Sequence, residues 1–218
     1  MEDEEQLRVE LVRQAQRLQP LGLVTGTSGN LSVRCQYNGQ PGMLITPSGI
    51  DYEALDPQDL VFVHDNGNYE HALAPSSEWQ MHRCVYATRP EAQAVVHAHP
   101  TYATVLAIRG QAIPALHYMV AAAGGPDIRC APYHTYGTDA LSQAVVQALH
   151  GRKACLLANH GLLAFEVTLA KAMWLAVEME TLARQYVLCL LLGGPTLLSG
   201  AEIETVLDKF SRYGLKTQ

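Results

Sequence analysis

Two histidines stand two residues apart in Ala94-Val95-Val96-His97-Ala98-His99-Pro100, closing an otherwise small and β-branched apolar run. Such a run reads as a strand, and residues i and i+2 of a strand point to one face. His97 and His99 therefore present two imidazoles side by side, a separation suited to chelating one divalent cation. Pro100 ends the strand just beyond them, which places the pair near a sheet edge rather than deep in the core. Two rings alone hold a metal weakly, because zinc sites use three or four ligands. His160 is the candidate third ligand. It follows the apolar run 154–158, so it too lies at a strand end, and Gly161 after it lets the backbone approach closely. An Asp or Glu could be the fourth, and Glu78 is notable because it opens a helix among small polar residues. Three neutral imidazoles leave the charge of a divalent ion free to polarise a substrate, which is Lewis-acid chemistry. The competing reading is a set of buried, hydrogen-bonded histidines. His64, His71, His82, His134 and His150 fall in turns or amphipathic positions and read as surface residues.

Three other segments share a second chemistry: Gly26-Thr27-Ser28-Gly29-Asn30, Thr46-Pro47-Ser48-Gly49 and Pro75-Ser76-Ser77-Glu78. Each mixes hydroxyls with glycine or proline in a tight turn, where backbone N–H groups are exposed. Ser76-Ser77 adds a helix N-terminus, so anion binding is within their reach. None carries a Walker lysine, which argues against a nucleotide loop. Taken singly, each is equally a turn or a helix cap. Three of them beside a metal set point to a small phosphorylated substrate.

The elements that must position these groups follow from periodicity. Leu7, Leu11, Val12, Ala15 and Leu18 give a helix over 4–19 that stops at Pro20. The stretches 30–35 and 43–46 read as strands, and 60–74 as a hairpin turning at Asp65-Asn66-Gly67-Asn68. A helix over 79–88 ends before Arg89-Pro90. The histidine strand and a helix over 101–108 follow. Then come a strand over 127–131, a helix over 138–149 with a Thr or Asp cap, and the strand of 153–158 running into the turn at 159–161. Helices over 168–191 and 201–210 complete the chain. No linker or internal repeat divides it, so the expectation is one three-layer α/β/α domain spanning 1–218. Strand order does not follow from the sequence.

Composition narrows the function. Hydrophobic residues make up 48% and charged residues 17%, with a formal net charge of −6. With no basic block, nucleic acid is excluded as an expected partner. The acidic start lacks the layout of a secretion signal. The longest apolar run, 186–192, is far short of the ~20 residues that cross a bilayer, so no membrane is expected and the cytoplasm is the default. Cys35, Cys84, Cys130, Cys155 and Cys189 form no C-x-x-C pattern and read as reduced thiols, mostly packing the core.

The motifs GTSGNLSVR, MLITPSGI, PSSEWQMH, VVHAHP, IPALHYMVAAAGG and NHGLLA resemble, in order and spacing, those of the class II aldolase/adducin family. The resemblance covers essentially the whole chain. It implies a central, largely antiparallel sheet and a zinc-dependent aldolase that cleaves a ketose 1-phosphate to dihydroxyacetone phosphate and an aldehyde. It also implies a homotetramer with active sites between subunits. Carried over by motif, His97, His99 and His160 would hold zinc, with Glu78 as fourth ligand and acid/base. Gly29, Asn30, Ser48, Gly49, Ser76 and Ser77 would cradle phosphate. Tyr118 would come from a neighbouring subunit to protonate the aldehyde oxygen, and Tyr213 resembles a second tyrosine that closes over the substrate.

Related activities stay open. A ribulose-phosphate 4-epimerase resembles this chain but carries Asp where Glu78 stands, and a catalytic Asp where Met119 to Gly125 are apolar or glycine. A decarboxylase of 3-oxo-tetronate phosphates and a non-catalytic adducin-like binding module share the fold. The aldehyde half is open as well: lactaldehyde, acetaldehyde or a methylthio-aldehyde would each define a different ketose.

Overall fold

The structure, a computed structural model, describes residues 4–212 of the 218. Seven strands, β1 (Asn30–Tyr37), β2 (Gln40–Ile45), β3 (Val61–His64), β4 (Ala94–Ala98), β5 (Cys130–Ala131), β6 (Ala154–Leu157) and β7 (Gly161–Glu166), form one sheet. Their order is β3-β2-β1-β4-β7-β6-β5. Every neighbouring pair runs antiparallel except β5 and β6. The helices are α1 (Glu4–Gln16), α2 (Trp79–Thr88), α3 (Thr101–Ile108), α4 (Asp139–Ala148), α5 (Leu169–Leu191) and α6 (Gly200–Arg212).

Alternation along the strands divides the core in two. Leu31, Val33, Val96 and Leu162 face α1, α3 and α5, where they pack on Leu11, Leu106 and Met179. Val95, Cys155, Leu163 and Phe165 face α2 and α4, against Met81, Val85, Leu141 and Val145. Both sheet faces are covered, which makes the expected three layers with a largely antiparallel sheet. A short 3-10 helix, Tyr118–Ala123, packs on α6 through Ala121 and Ile203. Among the described residues no helix is long and apolar enough to cross a membrane.

Four sequence expectations need correction. The first helix ends at Gln16, because the N–H groups of Arg17 and Leu18 reach back only three residues to Gln14 and Ala15. Such i→i−3 bonds tighten a last turn and stop α-helical propagation. The hairpin over 60–74 is half formed. β3 pairs with β2 alone, and past the turn a single bond, His64 N–H to the Asn68 carbonyl, replaces a ladder. The exposed run 69–72 has no apolar face to bury, so it goes instead to Pro75, which bridges Pro47. Beyond His160 the chain forms β7, an element that periodicity missed because both faces of GLLAFE are apolar. The histidine strand, finally, is no edge: β4 is the middle of the seven.

The cysteines are free as expected, but only Cys155 is fully buried and the other four are half-exposed.

Candidate metal centre and active site

The central position of β4 explains how the site is assembled. His97 lies on the α2 face, paired across the sheet with Asn30 of β1 on one side and Leu163 of β7 on the other. His99 follows one step beyond the strand, its N–H bonded to the Leu23 carbonyl. His160 sits in the tight β6–β7 turn, where Asn159 adopts a left-handed conformation. Gly161 lies so close to Ala98 and His99 that a Cβ there would strike the Ala98 carbonyl oxygen. Glu78 immediately precedes α2, its N–H bonded to Ser76 Oγ. Three segments distant in sequence thus deliver four side chains to one point.

There the donor atoms of Glu78, His97, His99 and His160 lie within 4.8 Å of one another. The three imidazole centroids are 4.7, 4.7 and 4.9 Å apart. Glu78 Oε2 is 3.0 Å from His97 Nε2, and Oε1 is 3.3 Å from His160 Nε2. His99 Nε2 stands 2.9 Å from His97 Nε2. His97 Nδ1 donates to the Leu162 carbonyl at 2.8 Å, which leaves Nε2 to face the cluster, the arrangement a ligating histidine needs. Glu78 Oε1 is buried with no hydrogen-bond partner. Three ring nitrogens gathered about a carboxylate with one orphaned oxygen form a donor set that fits a divalent cation.

Electrostatics agrees. Burial by itself would raise the pKa of Glu78, but His97, then His160 and Asn30, outweigh it and hold the carboxyl well below its ordinary range. Burial likewise opposes charge on His97, yet Glu78 raises its pKa. Each of the two groups thus favours the charged form of the other. His99 is pushed down to about 3 by burial and then by His97 and His160, and His160 to about 4 by burial and then by His97. Both are neutral at physiological pH, as metal ligands must be.

The three polar loops meet beside this cluster. Pro47 and Pro75 form a bridge, with Ser48 N–H on the Ala74 carbonyl and Ser76 N–H on that of Thr46. Thr46 Oγ1 accepts from Leu31 N–H, tying the second loop to β1. Gly29, at φ +77°, packs against the His97 carbonyl, and its own carbonyl accepts from Tyr52 OH. Ser48, Gly49 and Ser77 are exposed, whereas Ser76 and Asn30 are buried. The Asn30 carboxamide is already engaged: Nδ2 donates to Glu78 Oε2 at 3.1 Å and Oδ1 faces His82 Nε2 at 2.6 Å.

One expected residue stands apart from the cluster. Tyr118 opens the short 3-10 helix, about half exposed, with His117 and Phe210 as its ring neighbours. Among the described residues no hydrogen bond or ring contact joins it to the histidine cluster. Tyr213 lies outside the described residues. One residue was misread: His82 is not on the surface but fully buried on α2, where burial drives its pKa down to about 3. Its one-turn spacing from Glu78 was the available signal, since i and i+4 share a helix face.

A mixed sheet whose central strand ends in a three-histidine, one-carboxylate centre, flanked by hydroxyl-rich turns, has the architecture of a metal-assisted enzyme. The model of the class II aldolase and adducin N-terminal domain matches residues 9–187, and the chain belongs to that family. It is 52% identical to L-fuculose phosphate aldolase of Escherichia coli (strain K12), over 91% of each chain. To the 5-methylthioribulose-1-phosphate/5-deoxyribulose-1-phosphate aldolase of Rhodospirillum rubrum it is 49% identical, over 97% of this chain and 94% of the relative. A solved L-fuculose 1-phosphate aldolase superposes with a TM-score of 0.88 at 43% identity, covering 94% of this chain and 95% of the other. The chain is accordingly a lyase, a class II aldolase.

Proposed function

We propose that the chain, acting as one domain over residues 1–218, is a cytoplasmic, zinc-dependent aldolase. It reversibly cleaves a ketose 1-phosphate of the L-fuculose 1-phosphate type to dihydroxyacetone phosphate and an aldehyde. The observation that carries this reading is the Glu78–His97–His99–His160 cluster set against three hydroxyl-rich turns. His97, His99, His160 and, in the substrate-free enzyme, Glu78 hold the metal. The bound cation supplies Lewis-acid stabilisation of negative charge that develops on substrate oxygen as the carbon–carbon bond breaks.

The remaining work belongs to this chain's own groups. Gly29, Asn30, Ser48, Gly49, Ser76 and Ser77 bind the phosphate, which selects the carbon that faces Glu78. In the synthetic direction Glu78 takes a proton from C3 of dihydroxyacetone phosphate. Tyr118 of a neighbouring subunit gives one to the aldehyde oxygen, and cleavage runs both transfers backwards. Tyr213, which lies outside the described residues, serves as a second catalytic tyrosine. This division of labour requires an assembly of subunits, and a homotetramer is its form.

A second reading changes only the aldehyde. The relative acting on 5-methylthioribulose 1-phosphate is nearly as similar, 49% against 52%, and matches more of this chain. Release of dihydroxyacetone phosphate from L-fuculose 1-phosphate, 5-deoxyribulose 1-phosphate and 5-methylthioribulose 1-phosphate, compared by kcat/KM, separates the two. The expected result is metal-dependent triose phosphate release, fastest from L-fuculose 1-phosphate. Interconversion of pentulose 5-phosphates without free triose phosphate would refute the aldolase reading. Protein that binds no divalent metal would refute the site.

A further inference from the structure

From Glu78 and Asn30 a line of buried polar side chains runs on through His82 and Ser32 to Tyr86, and to these last three the reaction above gives no role. Asn30 Nδ2 meets Glu78 Oε2, and Asn30 Oδ1 meets His82 Nε2. His82 Nδ1 meets Ser32 Oγ at 2.7 Å, and Ser32 Oγ meets Tyr86 OH at 2.7 Å. Asn30, Ser32 and His82 are buried, as is Tyr86. Tyr86 is held in turn by Arg34, whose guanidinium lies 4.9 Å over its ring and whose Nη2 donates to its carbonyl at 2.6 Å. The spacing is built in by the elements. Asn30 and Ser32 share one face of β1, while Glu78, His82 and Tyr86 recur every four residues along the face of α2 that covers it.

One charge sets the direction of every bond in the line. Glu78 is ionised and only accepts, so the Asn30 group facing it is the NH2 and the one facing His82 is the carbonyl. His82 Nε2 must then carry the proton. Neutral, the ring keeps none on Nδ1, which accepts from the Ser32 hydroxyl, and Ser32 accepts from Tyr86. With every donor assigned, none of the four side chains is free to turn without burying an unpaired polar atom.

We propose that His82, with Ser32 and Tyr86 behind it, is a positioning residue that locks the Asn30 carboxamide with its N–H on Glu78. The consequence falls on the carboxylate. Oε2 is bonded to Asn30 and faces His97, while Oε1 keeps no hydrogen-bond partner. The line thereby fixes which oxygen of Glu78 is left for the reaction. Its effect on turnover rests on the aldolase reading above; the tautomer of His82 does not.

The test has two parts. In 15N-histidine-labelled, metal-free protein, the His82 resonances, assigned by their loss in His82→Gln, should report the neutral Nε2–H tautomer. Ser32→Ala, which removes the donor to Nδ1, should turn this into a mixture. In the metal-loaded enzyme, His82→Leu should lower kcat about tenfold or more, the scale seen when partners of metal-ligating groups are lost. Metal content should be unchanged. His82→Gln, whose terminal amide restores a donor near Nε2, should recover most of the loss. Ser32→Ala should lower kcat as well, and it serves alone if His82→Leu does not fold. An Nδ1–H tautomer in the wild type overturns the proposal. So does full kcat in Ser32→Ala, or a His82→Gln as impaired as a folded His82→Leu. A wild type with the Nε2–H tautomer but no aldolase activity refutes the reading of function and leaves the lock standing.

Discussion

Gly161 is the point at which fold and metal centre are most tightly coupled. It begins β7 immediately after His160 and presses its bare Cα against β4. A Cβ there would lie 2.7 Å from His99 Cδ2 and closer still to the Ala98 carbonyl oxygen. Ordinary contact starts at 3.4 Å, so the shortfall at His99 is 0.7 Å, and the oxygen, being backbone, has no rotamer by which to yield. Gly161→Ala must therefore push β7 from β4 or turn the His99 ring, moving at least one ligand. Metal sites tolerate errors of about 0.2 Å in ligand distance. We expect divalent-metal affinity to fall about 10–100-fold, the range for disturbed ligand positioning. Overpacking should cost about 1–3 kcal/mol, or about 2–12 °C in Tm at ~2–4 °C per kcal/mol for a chain of this size. Gly42→Ala is the control. Its Cβ would meet Phe62 Cζ at 2.6 Å and the Val63 carbonyl closer still, but between β2 and β3, away from the cluster. It should lower Tm and spare affinity. Titration against a chromophoric chelator, with thermal unfolding of the metal-free proteins, reads both. Equal metal affinity in Gly161→Ala and wild type would refute the coupling, as would equal losses of affinity in both variants.

Other outcomes follow from the same geometry. His97→Ala, His99→Ala and His160→Ala should each lose bound metal and turnover, measured by elemental analysis and triose phosphate release; retention of both would move the site elsewhere. Ser76→Ala removes the acceptor of the Glu78 N–H and a proposed phosphate contact. It should raise KM for phosphorylated substrate about tenfold or more, the cost of one hydrogen bond to a charged group, with metal retained; an unchanged KM would exclude the contact. Mixing Tyr118→Phe with Glu78→Gln subunits, each nearly inactive, should restore activity in hybrids if the tyrosine acts across an interface, and a fully active monomer would end that idea. His82 has an ordinary pKa of 6.5 and a folded one of about 3, so between these values the unfolded chain binds the extra proton. Stability should thus fall as pH drops from about 6.5 towards 3, by up to about 1.4 kcal/mol per pH unit from this group. Ser32, Asn30, Glu78 and His97 face it, and His82→Gln should flatten that part of the profile in denaturant unfolding; identical slopes would contradict it.

What the sequence alone determined is what backbone periodicity and side-chain chemistry carry over a few residues. The two-residue spacing of His97 and His99 in an apolar run was enough to bring the two rings together, although His99 lies one residue beyond β4. Thr138 announced its helix by capping Leu141 N–H as expected. The donor types themselves named the metal chemistry, because imidazole and carboxylate bind cations wherever a fold assembles them. Tertiary structure decided the rest, through contacts between segments that local pattern does not link. Only the pairing of β4 with β1 and β7 makes the histidine strand central, since strand order depends on which apolar faces find each other. The run 60–74 carries a hairpin's turn residues yet forms one strand, because β2 offers β3 a buried partner and the exposed segment beyond Asn68 gains nothing by pairing. His82 shows the same limit in a single side chain. Its position one turn after Glu78 is legible, but its burial follows from Asn30 and Ser32 lying beneath α2. A histidine with two buried partners rests in the core, and the same histidine without them would have been driven to the surface by the cost of its unpaired nitrogens.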